Sequence, residues 1–202
     1  MESPMQTAKV TSNSIISNNY HIHLYGEIGD PSEHIEELAT LYNATENDQI
    51  DIFINSSGGL VYTAIQLVDA IRNCRANVVG HLVGAAYSCA TNVFLACDYW
   101  RIADHSMLMF HNASVGPWGK MHEVEAYWEH SKSTLKDLVV ESYKNFLTED
   151  EISRILDGKD IYLKSDEIAG RLEIFAEARA AELEESVEDG LESDESEQEE
   201  KE

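Results

Sequence analysis

The stretch from Val78 to Cys97 limits this chain more than any other, because it passes from a strand pattern to a helix pattern through a corner of small residues. Val78-Val-Gly-His-Leu-Val83 is mostly β-branched or apolar and carries no run of charge, which predicts a buried strand of a parallel sheet. Ala90, Val93, Phe94 and Cys97 then fall at i, i+3, i+4 and i+7, one face of a helix. Gly84-Ala-Ala-Tyr-Ser88-Cys89 lies between them. Ser88 therefore opens a helix, where free backbone N–H groups and the helix dipole favour negative charge. A serine in such a place usually serves as a cap. It can serve as a nucleophile only if the rest of the chain supplies a base and an acid.

The flanking segments repeat the same rhythm. Tyr20-His-Ile-His-Leu-Tyr25 alternates and reads as a first strand ended by Gly26, and Pro31 to Tyr42 follows as an amphipathic helix with Ile35, Leu38, Leu41 and Tyr42 on its apolar face. Gln49 to Ile54 predicts a short strand that ends in Asn55-Ser-Ser-Gly-Gly59 before a helix carrying Ala64, Leu67, Val68 and Ile71. Glycines at such a turn expose backbone N–H groups that can hold an anion. The lysine of a phosphate loop is absent, and so is the third glycine of a dinucleotide fingerprint. Short strands are expected at Tyr99 to Ala103 and Met107 to Phe110, the second ending in His111-Asn112 and the loop Ala113 to Gly119. Met121 to Phe146 is a helical pattern too long for a core of this size to cover, so part of it should project and pack on another subunit. Thr148 to Glu151 forms a capping box for a helix to Leu156, followed by a turn at Asp157-Gly-Lys-Asp160, an extended Ile161-Tyr-Leu163, a helical turn at Ser165 to Gly170 and further helix over Ala176 to Leu183. His21 and His23 share one face of the first strand, with no third metal ligand nearby in sequence.

Repeated strand-then-helix units with short connections give an α/β fold in which two N–H-rich turns open on one side of a sheet. At 202 residues the chain predicts one domain, from 20 to 180, preceded by a flexible arm over 1–19 and followed by a disordered acidic tail over 181–202. That tail holds twelve acidic residues and one lysine, so it carries −11 of the net charge of −24. Such a balance argues against nucleic acid or an anionic membrane as partner. The absence of a long apolar run or a basic leader, and three cysteines (Cys74, Cys89 and Cys97) without metal spacing, predict a cytoplasmic protein with reduced thiols.

A serine nucleophile needs a histidine base, and the base needs a carboxylate. Of eight histidines, His122 and His130 belong to the long polar helix and His81 lies inside a strand, whereas His111 ends a strand at a loop, where a side chain can reach a pocket from rigid support. His105 is the second choice. Asp98, Asp104, Asp137, Asp150, Asp157, Asp160 and Asp166 all stay open as the acid, since periodicity does not choose among them.

Four blocks in order, Ile54-Asn-Ser-Ser-Gly-Gly59, Gly84-Ala-Ala-Tyr-Ser-Cys-Ala90, Met107-Leu-Met-Phe-His-Asn112 and Asp157-Gly-Lys-Asp160-Ile-Tyr-Leu163, resemble the signature segments of the ClpP peptidase family over about His21 to Phe175. The resemblance implies a crotonase/ClpP-like fold of repeated ββα units with a projecting handle helix. It implies an ATP-dependent Clp protease proteolytic subunit: a serine endopeptidase acting on protein and peptide substrates inside stacked homo-oligomeric rings, heptameric or tetradecameric, with no cofactor and no metal. Ser88 would be the nucleophile, His111 the general base, Asp160 the orienting acid, and the N–H groups of Gly59 and Cys89 the oxyanion donors. Ser57 stands where the family has proline, and Tyr87 replaces a small residue. No family pattern is recognisable in Met1 to Asn19, which bears on docking to a Clp-type ATPase. Three rivals share the fold: an acyl-CoA-binding crotonase, a Ser-Lys peptidase of the SppA or phage head-maturation type, and a catalytically inactive ring protein.

Overall fold

The computed structural model describes residues 16–113 and 120–199. Strand β1 (Asn19–Ile28) leads through a 3-10 turn (Pro31–His34) into helix α1 (Ile35–Asn43). Strand β2 (Gln49–Gly59), helix α2 (Val61–Arg72), strand β3 (Asn77–Tyr87) and helix α3 (Cys89–Ala96) follow. Strands β4 (Tyr99–Ile102) and β5 (Met107–Phe110) precede the long helix α4 (Met121–Tyr143), and helix α5 (Glu149–Leu156), strand β6 (Ile161–Lys164) and helix α6 (Ser165–Glu199) complete the chain. The fold class expected from the strand-helix alternation is the one observed. Among the described residues no helix is long and apolar enough to cross a membrane.

The sheet runs β1-β2-β3-β5-β6, with β4 also paired to β3. β1 to β5 are parallel, and β6 runs antiparallel to β5. The first half of β3, Val79 to Leu82, ladders with β4, and its second half, Ala85 to Tyr87, ladders with β5. Two strands thus share one edge of β3 in succession. Side chains at alternate positions, Ile22 and Leu24, Ile50, Ile52 and Ile54, Val78 and Leu82, are buried in one core with Leu41 of α1, Leu67 and Ile71 of α2 and Phe94 of α3. This period of two is what a strand demands of a face packed on helices. Gly80 lets α3 close on the sheet, since a Cβ there would press on Cys97 Sγ and the Phe94 ring. At the far end of α3, the Arg179 guanidinium donates to the carbonyls of Leu95, Ala96 and Cys97, satisfying the acceptors that a helix end leaves open.

Several boundaries differ from the sequence expectation. β1 does not stop at Gly26: a register shift between Gly26 and Glu27, with Gly26 at φ 78°, carries pairing on to Ile28. β2 likewise continues past Ile54, with Ser56, Gly58 and Gly59 still laddered to β1, so the glycines lie in an extended strand end rather than in a turn. The pairing of β2 with β3 jumps from Ile54↔Leu82 to Ser56↔Ala86, and the Asn55 side chain accepts the Ala85 N–H at 3.0 Å where the ladder is interrupted. β3 runs through the small residues to Tyr87, because Ala85 and Ala86 admit β5 alongside. α4 ends at Tyr143 rather than Phe146, and α6 joins the two expected helical pieces into one. The backbone of α6 stays helical into the stretch expected to be disordered; glutamate and leucine favour helix there, and Gly190 is its one glycine after Gly170. Residues 1–15 of the expected arm and most of the Ala113 to Gly119 loop lie outside the described residues.

Two contacts that hold this framework give direct expectations. Gly58 sits at φ 86°, and a Cβ on it would stand 2.6 Å from the Tyr87 carbonyl and 2.7 Å from Ser88 Cβ. Gly58→Ala should therefore lower unfolding stability by about 1–3 kcal/mol in denaturant titrations. Arg171 of α6 donates to both carboxylate oxygens of Glu151 on α5, at 2.7 and 2.8 Å, and these bonds hold the Glu151 carboxyl down at about 2 from an ordinary value of 4.5. A carboxyl depressed on folding stabilises the protein above its unfolded value, and that stabilisation disappears as pH falls from about 4.5 towards 2. Glu151→Gln should cost about 1 kcal/mol at pH 7 and much less at pH 3, read as the difference in melting temperature.

Candidate active site

The candidate site forms where β3, β5 and β6 end or begin side by side. Ser88 follows the last residue of β3 at φ 55° and ψ −134°, the left-handed side of the map where a residue with a Cβ is strained by about 1–3 kcal/mol. It occupies the N-cap position of α3, but its hydroxyl makes no capping bond. The default role of a helix-opening serine is therefore not the one it plays. Its N–H donates to the Met109 carbonyl at 2.8 Å, which ties the turn to β5. Its carbonyl accepts from the Thr91 N–H at 3.0 Å and from the Thr91 hydroxyl at 2.6 Å.

The strand register brings the other two positions to the same end of the sheet. Tyr87 pairs with Met109 in the parallel ladder, so Ser88 lies level with Phe110, and His111 is the first residue beyond that strand. Phe110 pairs with Ile161 in the antiparallel ladder, so the register carried on by one residue sets position 111 opposite position 160. His111 is half-buried and Asp160 exposed. Among the described residues no hydrogen bond joins the Ser88 hydroxyl, the His111 ring and the Asp160 carboxylate. In free enzymes such bonds are often long and tighten only with substrate.

The glycines of β2 border the serine from the other side. Gly58 abuts Ser88 Cβ, and Gly59, at φ 154°, lies against the backbone of Ile28 so closely that a Cβ would collide with it. Burial pushes the Cys89 thiol above its ordinary value, and the backbone N–H groups of Gly59 and of Cys89 itself draw weakly the other way. A thiol raised in this way stays protonated at neutral pH and is a poor nucleophile.

Other histidines are engaged elsewhere. His81 Nε2 is 2.5 Å from Asp51 Oδ1, and its ring stacks on Phe53 at 4.5 Å. Phe53 in turn stacks on His23, and His21 lies 4.0 Å from the other Asp51 oxygen, so these groups form a row on the sheet face away from the helices. His105 sits at φ 62° in the turn between β4 and β5, and His122 is exposed on α4. Among the described residues no cluster of three His, Cys, Asp or Glu groups is arranged to hold a metal ion. Beside His111 a groove of about 490 Å³ opens between α4 and α5, lined by Asn112, Ala113, Lys132, Leu135, Lys136 and Leu156 among others. Asn112 Nδ2 donates to the Leu156 carbonyl at 3.3 Å and fixes one wall.

Sequence reasoning did not single out Thr91 or Tyr143. Thr91 stands three residues after Ser88, a spacing at which a threonine hydroxyl can reach a carbonyl of the preceding turn. Tyr143 meets it from 52 residues away, and no local pattern announces such a pair.

A family model described as Clp protease matches residues 5–169, from within the N-terminal arm to the first turn of α6. The match takes in every strand, the glycines at the end of β2 and the turn at Ser88, so the chain belongs to the Clp protease family and is a ClpP-like peptidase.

Proposed function

We propose that this protein is a serine endopeptidase in which Ser88 is the nucleophile, His111 the general base and Asp160 the orienting acid. The observation that carries the proposal is the strand register, which sets positions 88, 111 and 160 next to the adjoining ends of three neighbouring strands, just past β3 and β5 and just before β6. In the first step the Ser88 hydroxyl oxygen bonds to the substrate carbonyl carbon as its proton passes to His111. The carbonyl oxygen becomes an oxyanion, which the Gly59 and Cys89 N–H groups stabilise; each such donor contributes on the order of 10²–10³ in rate. Collapse of the tetrahedral adduct breaks the C–N bond, and the His111 proton goes to the departing amine. Water then attacks the acyl carbon as its proton passes to His111, and the bond from that carbon to the Ser88 oxygen breaks as the proton moves from His111 to that oxygen, which frees the acid. Asp160 holds the imidazole in one tautomer and offsets its charge when protonated.

Assembly into stacked rings is part of the proposal. α4 has 23 residues, about 35 Å, and its described buried side chains, Val139 and Tyr143, belong to its last turns, whereas Met121 at the other end is 77% exposed. The outer sheet face leaves Tyr25, Val83 and Tyr99 exposed at 55%, 42% and 58%. Parallel sheets are rarely left open on one face, so a second copy of the chain is the natural cover. Enclosure would confine cleavage to chains threaded into the chamber, whether or not a Clp-type ATPase feeds them. A cytoplasmic setting suits the three free thiols.

Labelling with a fluorophosphonate probe tests the nucleophile. Ser88→Ala should abolish labelling, while Cys89→Ala should keep it, because only the backbone of residue 89 takes part. Labelling lost in the cysteine variant and kept in the serine variant would reverse the assignment. His111→Ala should lower peptide cleavage by about 10⁶-fold. Full activity in that variant would point to a Ser-Lys enzyme instead. Native mass measurement of the unmodified protein should give a ring multiple of the 22.7 kDa chain, and a monomer would refute the chamber.

A further inference from the structure

The strained peptide between Ser88 and Cys89 is gripped at one end by a buried chain of hydroxyls that no catalytic role requires. Thr91 Oγ1 is 2.6 Å from the Ser88 carbonyl oxygen and 2.9 Å from the Tyr143 hydroxyl. Thr91 is fully buried and Tyr143 is 3% exposed. A threonine hydroxyl has one proton, and the shorter contact claims it, so Thr91 donates to the Ser88 carbonyl and accepts from Tyr143. Asn92 Oδ1, at 3.3 Å, is a weaker competitor for the same proton. A threonine bonding back one turn is common in helices, but a second buried hydroxyl from a distant helix is not part of that habit. The Tyr143 ring also meets the Phe110 ring edge-on at 4.9 Å, one residue before His111.

A peptide unit is planar, and its C=O and N–H point in opposite directions. Fixing the Ser88 carbonyl therefore fixes the direction of the Cys89 N–H. On the reading of Ser88 as nucleophile, that N–H is an oxyanion donor. We propose that Thr91 and Tyr143 are positioning residues, which aim the Cys89 N–H at the developing oxyanion by holding the carbonyl at the other end of the same peptide. Neither touches substrate. Their effect belongs to the transition state, because the donor's direction matters most once charge sits on the oxygen.

The variants Thr91→Val, Thr91→Ser and Tyr143→Phe test this in the full-length assembled protein. Thr91→Val keeps the volume and removes the hydroxyl, Thr91→Ser restores it, and Tyr143→Phe keeps the ring against Phe110. Thr91→Val is expected to lower kcat on the order of tenfold with KM little changed, and to weaken binding of a peptide boronate, which forms a tetrahedral adduct at the serine, by a similar factor. Tyr143→Phe should show the same pattern at a few-fold, and Thr91→Ser should recover most of both losses. A purely structural role would instead lower the melting temperature and leave kcat and boronate affinity at 25 °C as they were. That result in Thr91→Val, or in Tyr143→Phe should Thr91→Val fail to fold, overturns the proposal. Fluorophosphonate labelling of the unmodified protein judges the serine assignment separately, and no labelling at Ser88 would overturn the assignment and this proposal together.

Discussion

The handover along one edge of β3 is the constraint on which the rest of the molecule depends. A strand of eleven residues ladders first with β4 and then with β5, and the bond from the Ser88 N–H to the Met109 carbonyl closes the second ladder. Only because β4 stops level with Leu82 can β5 lie against Ala85 to Tyr87. A sheet that kept β4 alongside for the whole of β3 would leave His111 one strand farther from the serine. The antiparallel β6, on the far side of β5, then brings the turn before it, at Asp160, to the same end of the sheet.

The sharp turn at Ser88 would relax unless its surroundings outweighed it. α3 is buried over nearly all of its length, from Cys89 to Ala96, and Phe94 is wholly enclosed. Burying a side chain of that size is worth about 2–3 kcal/mol, comparable to the strain at one residue. Arg179 fixes the far end of the helix, and Gly58 leaves just enough room beside its beginning. The strained residue is thus held from four directions: the strand before it, the helix after it, the glycine beside it and the threonine above it.

Much of this was legible in the residues. The apolar run of β3, the period of α3 and the isolated His111 at a strand end all follow from patterns within a few positions of each other. What failed were the strand ends around glycine. Gly26, Gly58 and Gly59 were expected to stop strands, yet their positive φ values let the backbone continue with a shifted register, a choice made by the neighbouring strand rather than by the local sequence. Periodicity could not show that position 160 would lie opposite position 111, because that depends on an antiparallel return 49 positions later. Tyr143 was hidden for the same reason: it is an ordinary aromatic on a helix until the sheet brings Thr91 beneath it.

That tyrosine has one more effect on α4. Its hydroxyl reaches Thr91 and its ring reaches Phe110, so two points on separate elements pin the last turn of a helix whose other end stands clear of the core. Sliding α4 along its axis by one turn, about 5.4 Å, would break both contacts at once. The helix is keyed at its root, and whatever grips its free end meets a lever whose fulcrum lies beneath the serine.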